Sequence, residues 1–218
     1  WLSRRDLLAL RQRLSRWFMQ CLRRALPLRV SVTGQAPQQP MLWVSNHVSW
    51  LDIPLLGMLA PLSFLSKAEV RDWPLLGWLA NQAGTLFIQR GAHQCAEVNL
   101  QQERHLLLFP EGSTSDGSAL RTFHPRLLAS AIDSGVALQP VAIRYRRNGE
   151  RCQLSPFIDD DELLSHLLRL LSSEAVSVEI QLLSPISSES ASRNQLARQA
   201  RESIAQALYG VAPNGQPA

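Results

Sequence analysis

Short apolar runs, each the length of a β-strand, alternate with helical segments along most of this 218-residue chain. The predicted strands lie at 28–34, 41–45, 62–67, 85–89, 105–109, 136–145 and 176–183. Strands that alternate with helices form mostly parallel sheets with helices on both faces. The sequence therefore predicts an α/β fold, in which one domain holds a mostly parallel sheet of about six or seven strands flanked by helices.

Predicted helices occupy the stretches between these strands. One begins near Leu51, and the others lie at 74–81, 94–102, 126–133, 159–171 and 193–209. A chain of this length can bury one sizeable core. We therefore assign residues 28–211 to one domain and residues 212–218 to a flexible tail.

Residues 1–27 form a region of their own, because they are rich in arginine and almost free of acids. Asp6 is the only acid among them, and their apolar residues recur at the spacing of a helix. The arginines are Arg4, Arg5, Arg11, Arg13, Arg16, Arg23 and Arg24. A basic amphipathic helix with Trp17 and Phe18 on one face suits an anionic membrane surface. The alternative is a helix packed on the domain, with the arginine stems lying along apolar surface.

Composition restricts the remaining options. Cys21, Cys95 and Cys152 lack the spacing of a metal site, which favours a reducing compartment. No nucleic-acid-binding motif accompanies the basic charge, so nucleic acid is not an expected partner. No run reaches the ~18 apolar residues of a spanning helix. We expect a protein at the cytoplasmic face of the inner membrane, held peripherally or anchored through a segment upstream of Trp1.

His47 and Asp52 lie where the strand at 41–45 gives way to a helix. Open α/β sheets bind their ligands at this edge, beyond the carboxyl ends of the strands. A neutral imidazole accepts a proton near pH 7, and a nearby carboxylate fixes its tautomer and stabilises the imidazolium. Taken alone, the pair is also consistent with a polar helix cap.

Two basic residues end predicted strands, where their charges emerge at a rim. Arg90 follows the strand at 85–89, and Lys67 ends the strand at 62–67. A guanidinium binds a phosphate through two parallel hydrogen bonds, and Lys67 is a weaker candidate of the same kind. Taken alone, Arg90 is also consistent with a solvated residue at a strand end.

Glu111, Gly112 and Ser113 follow the strand at 105–109. Glycine allows the backbone to approach a ligand closely. The Glu carboxylate can accept hydrogen bonds from substrate hydroxyl groups or order a nearby cation. A simple glycine turn after a buried strand is the alternative. His124 lies shortly after this segment and could line the same cleft.

Four blocks of the chain together resemble the glycerolipid acyltransferases, the family of 1-acylglycerol-3-phosphate acyltransferase. The blocks are Asn46–Asp52, Gly84–Arg90, Phe109–Ser113 and Gln139–Ile143. The resemblance covers about residues 41–145 and implies that 28–211 is an acyltransferase domain. It also implies that the residue matching Arg90 binds the acceptor phosphate.

Acyl transfer gives the candidate residues defined roles. We expect His47 to act as the general base and Asp52 to orient it. Arg90, Glu111, Gly112, Ser113 and Lys67 are the candidate substrate-binding residues. The acceptor's own hydroxyl attacks, and the chain has no Gly-x-Ser-x-Gly nucleophile elbow. No metal or cofactor is expected beyond acyl-CoA or acyl-carrier protein as the donor.

One block departs from the family, because Thr114 stands where the family commonly has Arg. Arg90 and the order of the blocks favour lysophosphatidate, the acceptor of the family's commonest activity, with phosphatidate as product. Arg121 or Arg126 would then replace the missing cation. The alternative acceptor is a lyso-ornithine lipid, because the variant block looks like that of the acyltransferases that use it.

Two functions of other classes are alternatives to acyl transfer. In a thioester or phosphoester hydrolase, His47 would activate water instead of an acceptor. In a noncatalytic lipid-surface module, only the basic helix would act, and the intact His/Asp pair argues against this. The expected partners are membrane lipids, a lysolipid acceptor and the acyl donor.

Overall fold

The computed structural model describes residues 4–67, 86–88, 105–158 and 160–210. Its strands are β1 (Leu28–Thr33), β2 (Leu42–Ser45), β3 (Leu62–Lys67), β4 (Leu86–Ile88), β5 (His105–Leu108), β6 (Leu138–Arg147), β7 (Glu150–Arg151) and β8 (Val176–Leu182). Its α-helices are α1 (Arg4–Ala25), α2 (Asp52–Gly57), α3 (Ala129–Asp133), α4 (Leu163–Leu171) and α5 (Arg193–Tyr209). A 3₁₀ turn, Pro125–Leu128, leads into α3.

The described strands form one sheet in the order β1–β8–β6–β2–β5–β3–β4, with β7 paired to β6. The pairs β6–β2, β2–β5, β5–β3 and β3–β4 are parallel, and so is the pair β1–β8. Only β6 with β8 and β6 with β7 are antiparallel among the described pairings. The predicted α/β fold with a mostly parallel sheet is therefore confirmed.

Some element boundaries differ from those predicted. The helix predicted at 159–171 begins at Leu163, because Glu162 has extended backbone and follows Asp160 and Asp161, a residue type that favours turns and caps over helix interiors. The hairpin from β6 to β7 was not predicted. Asn148 and Gly149 form its two-residue tip, and both have positive φ, as a type I′ turn requires. The helices predicted at 74–81 and 94–102 lie outside the described residues.

Both faces of the sheet are covered, which explains why its central strands read as continuous apolar runs. All four residues of β2 are buried. One face packs against α1, α2 and α4 through side chains that include Met19, Leu55 and Leu170. The other face packs against the 3₁₀ turn, α3 and α5 through Leu128, Ala131, Leu196, Ala200 and Ile204.

Helix α1 packs on α2 and is also partly exposed. Met19 is buried against Gly57, where a Cβ atom would clash with the methionine sulfur. Arg16 Nε donates a hydrogen bond of 2.9 Å to the carbonyl of Met58. Leu14 and Trp17 remain 56% and 62% exposed. Both sequence interpretations of this helix thus have a structural counterpart: one surface packs on the domain, and apolar side chains remain outside.

The parallel pairing of β2 with β5 determines where the site lies. Leu42 pairs with Leu106 and Val44 with Leu108, so both strands end at the same edge of the sheet. His47 follows β2 and Glu111 follows β5 at that edge.

No helix among the described residues is long and apolar enough to cross a membrane.

Candidate active site

His47 and Asp52 form a hydrogen-bonded pair at the turn between β2 and α2. Asp52 is fully buried, whereas the His47 side chain is 17% exposed. Nδ1 of His47 donates to Oδ2 of Asp52 over 2.8 Å. Because an ionised carboxylate can only accept, Nδ1 carries the proton and Nε2 is left to take one up. The predicted proximity of this acid and this base is present in the structure.

The turn wraps its backbone around the same carboxylate oxygen. The amides of Val48 and Ser49 donate to Oδ2 of Asp52 over 2.7 and 2.9 Å. A short turn between a His and an Asp five positions later can supply all of these donors. The acid therefore orders both the imidazole and the backbone that carries it.

Tyr145 supplies a further donor that the sequence analysis missed. Its hydroxyl donates to Oδ1 of Asp52 over 2.5 Å from strand β6. Burial, together with the Asp52 carboxylate, raises the pKa of Tyr145 well above its usual range, so the phenol remains a donor. The sequence signal was its place two residues after the Gln139–Ile143 block, but a tyrosine at the end of an apolar strand is read as core.

Glu111 is tied to backbone rather than left free. Its Oε1 accepts from the amide of His47 over 2.9 Å, and its Oε2 accepts from the amide of Arg121 over 2.8 Å. Burial raises the pKa of Glu111, and the hydrogen bonds from these two amides partly oppose that rise. The carboxylate thus bridges the loop after β5 and the turn at residues 47–52, which we call the catalytic turn after the role that we propose for it. Its predicted contact with substrate hydroxyl groups stays a prediction.

The loop after β5 also fixes the His47 ring and carbonyl. The ring of Phe109 stacks on the imidazole, with centroids 3.8 Å apart and planes 10° from parallel. The amide of Ser115 donates to the carbonyl of His47 over 2.9 Å. No sequence signal predicts this role for Phe109, because stacking between distant segments leaves no local pattern.

Gly112 and Ser113 lie beside two further polar residues at this loop. Gly112 has φ +71°, a left-handed conformation that favours glycine, and a Cβ there would lie 3.5 Å from the His124 ring. Nη1 of Arg121 donates to Oγ of Ser113 over 2.9 Å. The structure therefore brings Gly112, Ser113, Arg121 and His124 together next to Glu111.

Lys67 and Arg90 are the two basic candidates for substrate binding. Lys67 is the last residue of β3 and pairs with Ile88 of β4. Its strand neighbours β5, so its backbone lies at the same edge as His47 and Glu111. Arg90 lies outside the described residues, two positions beyond β4. The binding roles of both remain predictions.

Thr114, the departure from the family, fastens a distant segment to the site. Its Oγ1 donates to the carbonyl of Phe157 over 2.5 Å. The amide of Phe157 donates to the carbonyl of Val48 over 3.0 Å. We call residues 152–158 the tethered segment, because they are bonded to both the catalytic turn and the loop after β5.

His166 of α4 holds the tethered segment from its other side. Nε1 of Trp50 donates to Nδ1 of His166 over 3.0 Å, and Nε2 of His166 lies 3.2 Å from the carbonyl of Ser155. Burial, followed by the charge of Arg169, lowers the pKa of His166. His166 is therefore a neutral core histidine that connects Trp50 of the catalytic turn to Ser155.

An ion pair marks the outer part of the loop after β5. Nη1 of Arg151 lies 2.6 Å from Oδ2 of Asp116. Hydrogen bonds from the side chain and amide of Ser118, with Arg151, lower the pKa of Asp116 to about 2.

Among the described residues, no group of three or more His, Cys, Asp and Glu side chains could hold a metal ion.

Comparisons with known proteins match most of the chain. A family model described as Acyltransferase matches residues 28–144. A lyso-ornithine lipid O-acyltransferase of Pseudomonas aeruginosa is 60% identical over 213 residues, covering 95% of this chain and 83% of that protein. A 1-acyl-sn-glycerol-3-phosphate acyltransferase of Neisseria gonorrhoeae is 34% identical over 190 residues, covering 83% of this chain and 74% of that protein.

A solved structure shares the fold. The crystal structure of PlsC, the 1-acyl-sn-glycerophosphate (LPA) acyltransferase of Thermotoga maritima, matches with a TM-score of 0.72 and 21% sequence identity. The match covers 95% of this chain and 81% of that one. At this identity the likeness extends to the architecture of sheet and helices.

Proposed function

This chain belongs to the acyltransferase family, and we propose that it transfers a fatty acyl group from a thioester donor to the free hydroxyl of a lyso-ornithine lipid. The donor is acyl-CoA or acyl-carrier protein. The family match over residues 28–144 includes His47, Asp52, Glu111 and Thr114. The observation that carries the chemistry is the hydrogen bond of 2.8 Å between Nδ1 of His47 and buried Asp52.

His47 acts as the general base in this proposal. The acceptor hydroxyl gives its proton to Nε2 as its oxygen attacks the thioester carbonyl. The carbon–sulfur bond then breaks, and the leaving thiolate takes the proton back from the imidazolium. Asp52 stabilises the imidazolium during the step and keeps the ring in the tautomer that exposes Nε2.

Replacing His47 tests the chemistry directly. We expect His47→Ala to lower kcat for acyl transfer by about 10²–10⁴-fold, the usual contribution of a positioned general base. Because His47 is 17% exposed and Asp52 keeps its backbone donors, the fold should survive. The measurement is transfer of a labelled acyl group, with the melting temperature as the control for folding. Near-normal turnover, or fatty acid released equally well without an acceptor, would contradict the proposal.

Thr114 is the residue that favours a lyso-ornithine lipid as acceptor. It removes the cation with which the family commonly contacts a phosphate, and its hydroxyl is engaged with Phe157. The Pseudomonas aeruginosa relative, 60% identical over 95% of this chain, is a lyso-ornithine lipid O-acyltransferase. An ornithine headgroup carries an ammonium group, which a neutral Thr tolerates better than an Arg.

Lysophosphatidate is the alternative acceptor, favoured by the family's commonest activity and by the block that ends in Arg90. The guanidinium of Arg121 donates to Ser113 over 2.9 Å, and Ser113 is the residue before Thr114. Arg121 could therefore replace the missing cation. The Neisseria gonorrhoeae relative, 34% identical, is a 1-acyl-sn-glycerol-3-phosphate acyltransferase. If lysophosphatidate is the acceptor, Arg121→Ala should impair its use.

Assays of both acceptors with two variants of Thr114 separate these possibilities. We expect Thr114→Arg to raise the KM for lyso-ornithine lipid by roughly ten- to a hundredfold, because the new cation would repel the acceptor's ammonium group by about 1–4 kcal/mol at a separation of about 4 Å. Thr114→Val is the matched control, because it removes the bond to Phe157 without adding charge. Wild-type preference for lysophosphatidate, with Thr114→Arg improving it, would identify that lipid as the acceptor instead.

Peripheral membrane association through α1 completes the proposal. Leu10, Leu14, Trp17 and Phe18 of α1 are each between 42% and 62% exposed. Helix α4 packs on the same face of the sheet and exposes Leu164, Leu168 and Leu171. Apolar side chains beside exposed arginines suit an anionic lipid surface.

Vesicle binding tests this association with charge-matched variants. Arg11 and Arg13 are exposed, whereas Arg16 is bonded to Met58, so the test variant is Arg11→Gln with Arg13→Gln. At about 1 kcal/mol per basic residue, binding to anionic vesicles should weaken by roughly tenfold or more. Arg193→Gln with Arg198→Gln, in α5 on the opposite face, makes the same change in net charge and should leave binding unchanged. Equal effects of the two pairs would contradict a role for α1.

A further inference from the structure

Tyr145 is bonded to the carboxylate oxygen of Asp52 that the catalytic turn leaves open. Oδ2 of Asp52 accepts hydrogen bonds from Nδ1 of His47 and from the amides of Val48 and Ser49. Oδ1 accepts one from the Tyr145 hydroxyl over 2.5 Å. Among the described residues, no other side chain donates to Oδ1. Both groups are buried, Tyr145 with 3% of its surface exposed and Asp52 with none.

Strand β6 holds Tyr145 in place through Asn46. Nδ2 of Asn46 donates to the carbonyl of Ile143, and the amide of Ile143 donates to Oδ1 of Asn46, both over 2.9 Å. These two bonds extend the parallel pairing of β2 with β6 by means of a side chain. Tyr145 lies two residues further along β6, and its carbonyl accepts from the amide of Cys152 over 3.0 Å. The phenol is thus fixed relative to the turn that carries His47.

We propose that Tyr145 is a positioning residue for acyl transfer, acting through Asp52. Its hydroxyl fixes the carboxylate in the rotamer that presents Oδ2 to Nδ1 of His47. It also stabilises the negative charge of a fully buried acid, because a hydrogen bond to an ionised group is stronger than one between neutral groups. This proposal rests on the proposed function of the His47 and Asp52 pair.

Tyr145→Phe removes the hydroxyl and keeps the ring. The carboxylate then loses the one partner that Oδ1 has among the described residues and can rotate away from the imidazole. We expect kcat to fall by about ten- to a hundredfold with the KM for the acceptor unchanged. Tyr209→Phe is the matched control: its hydroxyl donates to the carbonyl of Gly117 over 3.3 Å, so its kcat should equal that of the wild type.

A double-mutant cycle distinguishes action through Asp52 from a general loss of packing. If Tyr145 acts through the carboxylate, Tyr145→Phe should have no further effect on kcat in an Asp52→Asn background. An equal loss of kcat in both backgrounds would overturn the proposal, as would a Tyr145→Phe enzyme with wild-type kcat. His47→Ala, measured in parallel, tests the proposed function separately. Full activity of that variant would show that His47 is not the general base, whatever the effect of Tyr145→Phe.

The downfield proton resonance of His47 Nδ1 gives a readout that does not depend on turnover. It is identified by its loss in His47→Ala. We expect the resonance to shift and broaden in Tyr145→Phe and to stay unchanged in Tyr209→Phe. If Tyr145→Phe does not fold, fluorotyrosine at position 145 in the Tyr209→Phe background keeps the hydroxyl and makes it more acidic. An Nδ1 resonance unmoved by that substitution would overturn the proposal.

Discussion

The catalytic turn and the loop after β5 each contribute a buried carboxylate next to His47, but the two acids are held in different ways. Three of the partners of Asp52 lie within five residues of it, and Tyr145 is its one distant partner in the part of the chain that the structure describes. Glu111 is held by two backbone amides, 64 residues away at His47 and 10 residues away at Arg121. Asp52 contacts the imidazole itself, whereas Glu111 contacts the backbone that carries it.

This difference affects how freely each region can change. Any substitution at Asp52 disturbs the His47 ring and two turn amides together. In the loop after β5, the side chains of Ser113, Thr114 and Asp116 bond to partners other than His47, so they can be exchanged without moving it. Thr114 in place of the family's Arg is such an exchange. Variation in substrate binding is therefore expected in the loop and not in the turn.

Asp52→Asn should produce the larger effect of the two acids. We expect kcat to fall by about 10²–10⁴-fold, because an amide nitrogen facing Nδ1 would favour the tautomer with its proton on Nε2. The KM for either substrate should change little. Steady-state kinetics on purified protein provides the measurement. A loss smaller than that of Glu111→Gln would reverse the ranking of the two regions.

Glu111→Gln should lower kcat less than Asp52→Asn does and lower the free energy of unfolding more. The new NH2 group cannot accept from a backbone amide, so one buried N–H loses its partner, at about 1–3 kcal/mol of unfolding free energy. We expect kcat to fall by roughly tenfold through displacement of His47, with the acceptor KM unchanged. Urea denaturation and kinetics measure both. A rise in the acceptor KM with normal stability would instead support the predicted contact with substrate hydroxyl groups.

The same division between near and distant partners explains what the sequence could reveal. The strands, the mostly parallel sheet and the His47 and Asp52 pair follow from local patterns: apolar runs, turn signals and a five-residue spacing. Tyr145 and Phe109 were missed, because their contacts with the pair depend on the order of β2, β5 and β6. The strand order fixes such neighbours, and a single sequence does not state it.

The tethered segment, residues 152–158, joins the two regions and gives the smallest expected effect. Phe157 bonds to Val48 of the turn and to Thr114 of the loop, while His166 connects Ser155 to Trp50. Nδ1 of His166 must be unprotonated to accept from Trp50. Acid should therefore weaken this connection as His166 takes up a proton.

Burial lowers the folded-state pKa of His166 below 6.5, so protonation favours the unfolded chain. The stability linked to this group is fully present above the unfolded pKa, near 6.5, and is lost as the pH falls through the lower folded value. We expect the melting temperature of His166→Gln to differ less between pH 7.5 and pH 5.5 than that of the wild type does. The reason is that Gln can accept a hydrogen bond from Trp50 and donate one to Ser155 without titrating. In a chain of this size each kcal/mol changes the melting temperature by about 2–4 °C. The pKa of His105 is lowered by burial as well, so the comparison must be between variant and wild type at both pH values. An unchanged pH dependence in His166→Gln would mean that the connection between Trp50 and Ser155 contributes nothing to the acid sensitivity of the fold.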